Sequence, residues 1–131
     1  MPITKDSNRQ PPLVAMVEVS FADIASGVAA AAVELPGGAI VTGGAVTVIT
    51  PFNSGTSDVL DVGDSASGNR YLNDANIHAA GRTPLVPTGL VMENVGDISV
   101  TLTAVGTAAT AGSVRLEVEY VVEGRASTSQ G

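Results

Sequence analysis

Residues 51–64 read PFNSGTSDVLDVGD. A run rich in β-branched residues, AVTVITPF at 45–52, ends on the aromatic Phe52. The small polar turn NSGT follows at 53–56, SDVLDV resumes an extended pattern at 57–62, and the stretch closes on Gly63-Asp64. β-Branched side chains fit a pleated, half-buried surface, whereas Asn, Ser and Gly tolerate the dihedrals of a tight turn. Strand, corner and returning strand make up the repeating unit of an antiparallel β-protein, and the flanking sequence repeats it.

Upstream, LVAMVEVSF at 13–21 puts Leu13, Ala15, Val17, Val19 and Phe21 on one face. Val14, Met16, Glu18 and Ser20 fall on the other, the period of a strand with one buried and one mixed face. In 22–32, Asp23 offers an N-cap to a short helix, but Gly27 interrupts it, and a loop followed by a strand over 28–35 is favoured. Pro36-Gly37-Gly38 reads as a turn, residues 39–42 resume briefly, and Gly43-Gly44 allows a bulge or bend before the strand at 45–52.

Downstream, residues 63–83 (GDSASGNRYLNDANIHAAGRT) are polar and aperiodic, chiefly loop with a short strand at Arg70-Tyr71-Leu72. Pro84 and Pro87 confine Leu85-Val86 to an edge or a bend. Strands are expected at 89–93, 98–105 and 113–123. In the second, Ile98, Val100, Leu102 and Ala104 oppose Ser99, Thr101 and Thr103. In the third, Val114, Leu116, Val118, Tyr120 and Val122 oppose Arg115, Glu117, Glu119 and Glu123. Roughly eight strands at about 8–12-residue spacing with Gly, Pro and Asn turns describe an all-β protein, an antiparallel β-sandwich of jelly-roll type. Residues 1–12, with Pro2, Lys5, Arg9, Pro11 and Pro12, read as an extended N-terminal arm, 13–125 as the sandwich domain and 126–131 as a polar C-terminal tail.

Composition excludes several classes of function. With 131 residues and no cysteine, the chain is one domain without disulfides or thiolate-bound metal. Thirteen acidic against six basic residues give a net charge of -7, and the basic residues are dispersed, so nucleic acid is not an expected partner. No window has the length and apolarity of a spanning helix, and the first residues lack the apolar core of a signal peptide; the chain is expected in a cytosol-like space without membrane contact. A mean hydropathy of +0.31 with 15% charged residues leaves few polar groups to cover the surface, the mark of a chain that buries part of it against other proteins.

Catalytic equipment is not legible. The single histidine, His78, lies in a loop with no acidic residue at helical spacing to orient it and is expected at the surface. Gly63-Asp64-Ser65 lacks the G-x-S-x-G of a nucleophile elbow. Asp58, Asp61 and Asp64 are three apart, a spacing that sends neighbouring carboxylates to opposite faces of a strand, so solvated turn carboxylates are expected in place of a Ca²⁺ site. Neither Gly37-Gly38 nor Gly43-Gly44 precedes a helix start, so no phosphate cradle is expected. No catalytic, metal or cofactor residues are assigned. The expected contact residues are Pro2, Lys5, Arg9, Pro11 and Pro12 of the arm, Asn53, Ser54 and Thr56 of the corner, and Arg70 and Tyr71 of the polar segment.

The runs VELPGGAIVTGGAVTVITPFNSGTSDVLDVGD, RYL, AAGRTPLVPTG and AGSVRLEVEYVVEGR, between Val33 and Arg125, resemble small virion structural proteins of tailed bacteriophages. The resemblance implies a capsid decoration, or cement, protein. Such a protein would be a homotrimer that binds the major capsid protein on the outer surface of the shell, assembled in the host cytoplasm, with no active site. A minor tail or head-completion component, or a receptor- or carbohydrate-binding jelly roll of a tail fibre, is the alternative; the latter needs a stacking aromatic, for which Tyr71 is the available surface candidate.

Overall fold

The computed structural model describes residues 10–124. They form eight strands: β1 (Leu13–Ser20), β2 (Ala29–Leu35), β3 (Ala39–Thr50), β4 (Ser57–Gly63), β5 (Leu72–Asn76), β6 (Arg82–Pro84), β7 (Gly96–Val105) and β8 (Ser113–Val122). These make two four-stranded sheets, β1-β8-β3-β6 and β2-β7-β4-β5, in which every pairing is antiparallel. The chain passes from sheet to sheet at every connection except β4 to β5, which is the strand order of a jelly roll. No helix among the described residues is long and apolar enough to cross a membrane.

The alternation read from the sequence sets the core. Val114, Leu116 and Val118 of β8 and Ile98, Val100 and Leu102 of β7 are buried, and they meet Val41 and Val46 of β3 and Leu60 and Val62 of β4 in one cluster. Leu35, Leu60, Ile77 and Leu116 are fully enclosed; burial of each such side chain stabilises the fold by about 1.5–3 kcal/mol relative to exposure. Ala45 is equally buried but faces the opposite side of its sheet, in register with Glu117. At Gly43-Gly44 the expected bulge is present: β3 runs unbroken from Ala39 to Thr50, with a register shift against β8 between Val41 and Gly43 and Gly44 at φ +123°.

Two expected strands differ. Arg70 and Tyr71 lie before the fifth strand, which spans Leu72–Asn76 and pairs with β4 despite its polar sequence, LNDAN. The sheet selects it because Leu72 and Ala75, together with Ile77 just beyond, supply the inward groups, while Asp74 takes a positive φ of 55° where the β4–β5 register slips. Residues 89–93 form no strand; they touch β3 through one bridge, Ile40 with Val91. Gly89 at φ +79° turns the chain out of an extended path there.

The two long edges, β1 and β2, flank the same side of the sandwich, where the strands contact one another across a cavity of about 150 Å³ lined by Val17, Val19, Ile24 and residues 30–32. The edges on the other side are β5, five residues long with its kink at Asp74, and β6, three residues long and ending at Pro84. Of the proposed arm, Pro2, Lys5 and Arg9 lie outside the described residues, as do Arg125 and the tail at 126–131.

Candidate interaction surface

The corner at 53–56 is hydrogen-bonded into the fold, with Ser54 its buried member. Asn53 Oδ1 accepts from the amides of Thr110 and Ala111 at 2.8 and 3.1 Å, and its Nδ2 donates to Thr110 Oγ1 at 3.0 Å. The Gly55 and Thr56 amides donate to the carbonyls of Thr107 and Val105. Ser54 is 3% exposed; its hydroxyl donates to Asp58 Oδ1 at 2.5 Å and its amide to Asp58 Oδ2 at 3.0 Å. The corner therefore engages Asn53 and Ser54 in its own fold; Ser54 is enclosed, while Asn53 and Thr56 are exposed.

Asp58 is the centre of this arrangement and is fully buried. The expectation of a solvated turn carboxylate fails because the β4 alternation points Asp58 under the corner, where Ser54 and His78 supply donors. His78 Nδ1 lies 2.7 Å from Asp58 Oδ2, so the histidine read as an unoriented surface residue is held by a carboxylate twenty positions earlier. Serine, histidine and aspartate meet, but in the wrong order for nucleophilic catalysis. A triad places the imidazole between hydroxyl and carboxylate, whereas here the carboxylate stands between the other two and the Ser54 hydroxyl is committed to it. Only the S-x-x-x-D spacing of Ser54 and Asp58 hinted at the pair.

The remaining carboxylates of the series do separate work. Asp61 Oδ1 accepts from the Asp74 amide at 2.7 Å, holding the kink of β5. Asp64 accepts from the Ala66 and Ser67 amides and pairs with Arg70, whose Nε lies 2.6 Å from Oδ2. Burial alone would raise the Asp64 carboxyl, but the Arg70 hydrogen bond, the Ser67 amide, the Arg70 charge and the Ala66 amide together hold it below its ordinary value. Among the described residues no three His, Cys, Asp or Glu side chains gather as a metal site would require.

Tyr71, expected in a surface loop, is 2% exposed and belongs to the core cluster. Its amide donates to the Val62 carbonyl and its own carbonyl accepts from the Val86 amide. Burial, then the nearby Asp64 carboxylate, raises its phenol above the ordinary value.

Surface available for contact lies elsewhere. Val14 and Met16 of β1 are 56% and 63% exposed. They stand in register with Glu119 and Glu117 of β8, and Glu18 with Arg115, so the outer face of this sheet carries an apolar margin beside an acidic centre. Arg115 bonds Glu117 at 2.9 Å, and Thr42 Oγ1 bonds Glu119 at 3.2 Å. At the end of the sandwich where β1 begins, a cleft of about 450 Å³ lies between Asp64, Arg70 and residues 90–97. Val95 stands exposed beside it. Pro11 and Pro12 are exposed at that same end.

The fold and these surfaces define a jelly-roll β-sandwich whose outer face carries exposed apolar side chains beside acidic ones. No protein-family model matches the chain, and no curated protein matches its sequence. Solved structures do match its fold. A chain of the cyanophage Pam1 capsid asymmetric unit is 24% identical, covers 93% of this chain and 92% of its own length, and superposes with a TM-score of 0.72. A chain of the capsid of Ralstonia phage GP4 is 17% identical over 95% of this chain and 92% of that one, with a TM-score of 0.71. A chain of the acidic stable capsid structure of the Helicobacter pylori bacteriophage KHP30 is 16% identical over 89% and 92%, with a TM-score of 0.62. At these identities the likeness is one of fold.

Proposed function

We propose that this chain is a structural virion protein that decorates and stabilises the capsid of a tailed phage by binding the major capsid protein on the outer shell as a homotrimer. The observation that carries the proposal is the end-to-end likeness of fold to chains from three phage capsids, which leaves no part of either partner as an unrelated domain. A net charge of -7 suits a protein outside the genome, because an acidic surface in contact with packaged nucleic acid would be repelled. Many modest contacts per subunit, multiplied by avidity in the trimer, would hold neighbouring capsomers against internal pressure. The exposed Val14, Met16 and Val95, Thr56 at the corner and the exposed Pro11 and Pro12 are the groups available for those contacts. A carbohydrate-binding role on a tail fibre loses its support once Tyr71 is placed in the core.

The test mixes the purified protein with expanded capsids assembled without it and, separately, with host cells, and images both. Saturable occupancy at capsid symmetry axes is the expected result. Bare capsids with labelled cells, or recovery of the protein only at the tail or the head-tail junction, would sink the proposal.

A further inference from the structure

The free edge of β1 is lightly protected, with Glu18 as its one charge. It is eight residues long with neither Lys nor Pro within it, and Val14 and Met16 stand exposed along it. Sheets commonly blunt such edges with charge, proline, bulges or brevity, as β5 and β6 are blunted here; a long apolar edge left open is a template for another strand. The face flanking it is acidic, with Glu18 on β1 and Glu117 and Glu119 on β8. The strand that fits is extended, apolar at one point and cationic at others.

We propose that residues 1–9 of a second copy of this chain supply that strand, so that neighbouring copies are linked by their arms. The sequence MPITKDSNR holds Lys5 and Arg9, two of the six basic residues of the chain. A strand through it carries Ile3, Lys5, Ser7 and Arg9 on one face and Asp6 on the other. Laid parallel to β1 with Ser7 beside Met16, that face sets Lys5 beside Val14 and its neighbour Glu119, Arg9 beside Glu18, and Ile3 at the Val14 end of the apolar margin. Nine extended residues span about 30 Å, enough to cover an eight-residue edge of about 26 Å.

The base of the arm favours exchange between copies over folding back. Gln10 Nε2 donates to the Val122 carbonyl at 2.6 Å and its Oε1 accepts from the Val122 amide at 2.9 Å, so the side chain replaces a strand neighbour at the end of β8. This clamp is on the β8 side of β1, opposite the free edge. To reach its own free edge, a segment leaving Gln10 must cross the end of β1 and spend about four residues on a reverse turn, which leaves too few of residues 1–9 to cover the edge, whereas a neighbour's edge needs no turn. The inference goes beyond the capsid proposal and is tested with no capsid present, so arm exchange can fail while capsid binding stands.

Sedimentation of the full chain is compared with that of a chain lacking residues 1–9, which keeps the Gln10 clamp. The expected result is self-association that the deletion abolishes. The K5E/R9E double variant should associate about tenfold more weakly, the scale of exposed ion pairs turned into repulsions. Adding E117K/E119K to K5E/R9E should restore association. Because the chain has no cysteine, a copy bearing Ser7→Cys mixed with a tagged copy bearing Met16→Cys should trap a mixed disulfide that a tagged Thr103→Cys copy does not. A full chain that is monomeric at all concentrations, an oligomer indifferent to the deletion, a charge swap that fails to restore association, or equal trapping at positions 16 and 103 overturns the proposal.

Discussion

His78 Nδ1 sits 2.7 Å from Oδ2 of Asp58, whose side chain has 0% of its surface exposed while that of His78 keeps 38%. The carboxylate is paid for by three donors, because the Ser54 amide and hydroxyl reach it as well. It ties the 53–56 corner to β4 and to the segment after β5, adding to the Phe52–Ile77 and Ile77–Asp58 backbone bonds there. Asp58 is thus a structural keystone of this end of the sandwich.

Replacing Asp58 by Ala removes the shared acceptor and strands a buried hydroxyl and amide, so unfolding in urea should show a loss of about 3 kcal/mol. Ser54→Ala, which removes one donor and keeps the amide bond, should lose about 1–2 kcal/mol. His78→Ala should lose less than either, since the imidazole is partly solvated. An Asp58→Ala chain as stable as the parent would show that the carboxylate carries no such role.

Adjacent glycines in β3 should behave oppositely. A Cβ on Gly44 would overlap the Glu117 carbonyl oxygen and crowd Leu85, at a φ of +123° that L side chains rarely adopt. A Cβ on Gly43 would meet nothing nearer than Glu119 Oε1 at 3.9 Å. Gly44→Ala should therefore cost about 3 kcal/mol or more through strain and a disturbed β3–β8 ladder, while Gly43→Ala stays within about 1 kcal/mol of the parent. Thermal melts of the two variants side by side decide it; equal melting temperatures would refute the bulge geometry.

The contrast between these positions marks what was legible in the sequence. Period-two alternation in β1, β7 and β8 named the inward residues, because one face of each strand is buried; Phe21, read onto that face, instead lies past the end of β1 and is 38% exposed. The bulge was legible as Gly-Gly, although which glycine is indispensable depends on the Glu117 carbonyl across the sheet. Strand β5 was missed because its sequence, LNDAN, has weak strand propensity; it is extended because β4 lies beside it. Asp58 and His78 were read as separate solvated groups because they meet only after β4, the polar segment and β5 have folded. Tyr71 was placed outside for the same reason: its neighbours in sequence are polar and its neighbours in space are Val62 and Val86.

The Asp64–Arg70 pair should shape the acid limb of stability. Because the folded carboxyl titrates below its ordinary value, its contribution is complete above the unfolded value, near 3.9, and is lost as pH falls through the folded one. Asp64→Asn abolishes that component. Parent and variant should differ most at neutral pH and converge as acid protonates the parent. Melting temperatures recorded across that range check it, and a gap that stays constant down to the lowest pH would contradict the assignment.

Tyr71 should tolerate loss of its hydroxyl. The oxygen is buried and has no hydrogen-bond partner among the described residues, so Tyr71→Phe keeps the ring in the core while removing a desolvated polar atom. Removal of an unsatisfied group is neutral or stabilising, by up to about 1 kcal/mol in urea unfolding at neutral pH. Alkaline pH adds a second test. The phenol is raised in the folded state, chiefly by burial, so the fold is favoured by the neutral form: that contribution is present below the unfolded value, near 10, and is lost as pH rises through the folded one. Parent protein should lose stability on that limb faster than Tyr71→Phe, whose ring cannot ionise. A phenylalanine variant clearly less stable at neutral pH would mean that the hydroxyl makes a stabilising bond, and parallel alkaline limbs would mean that the phenol titrates in its ordinary range.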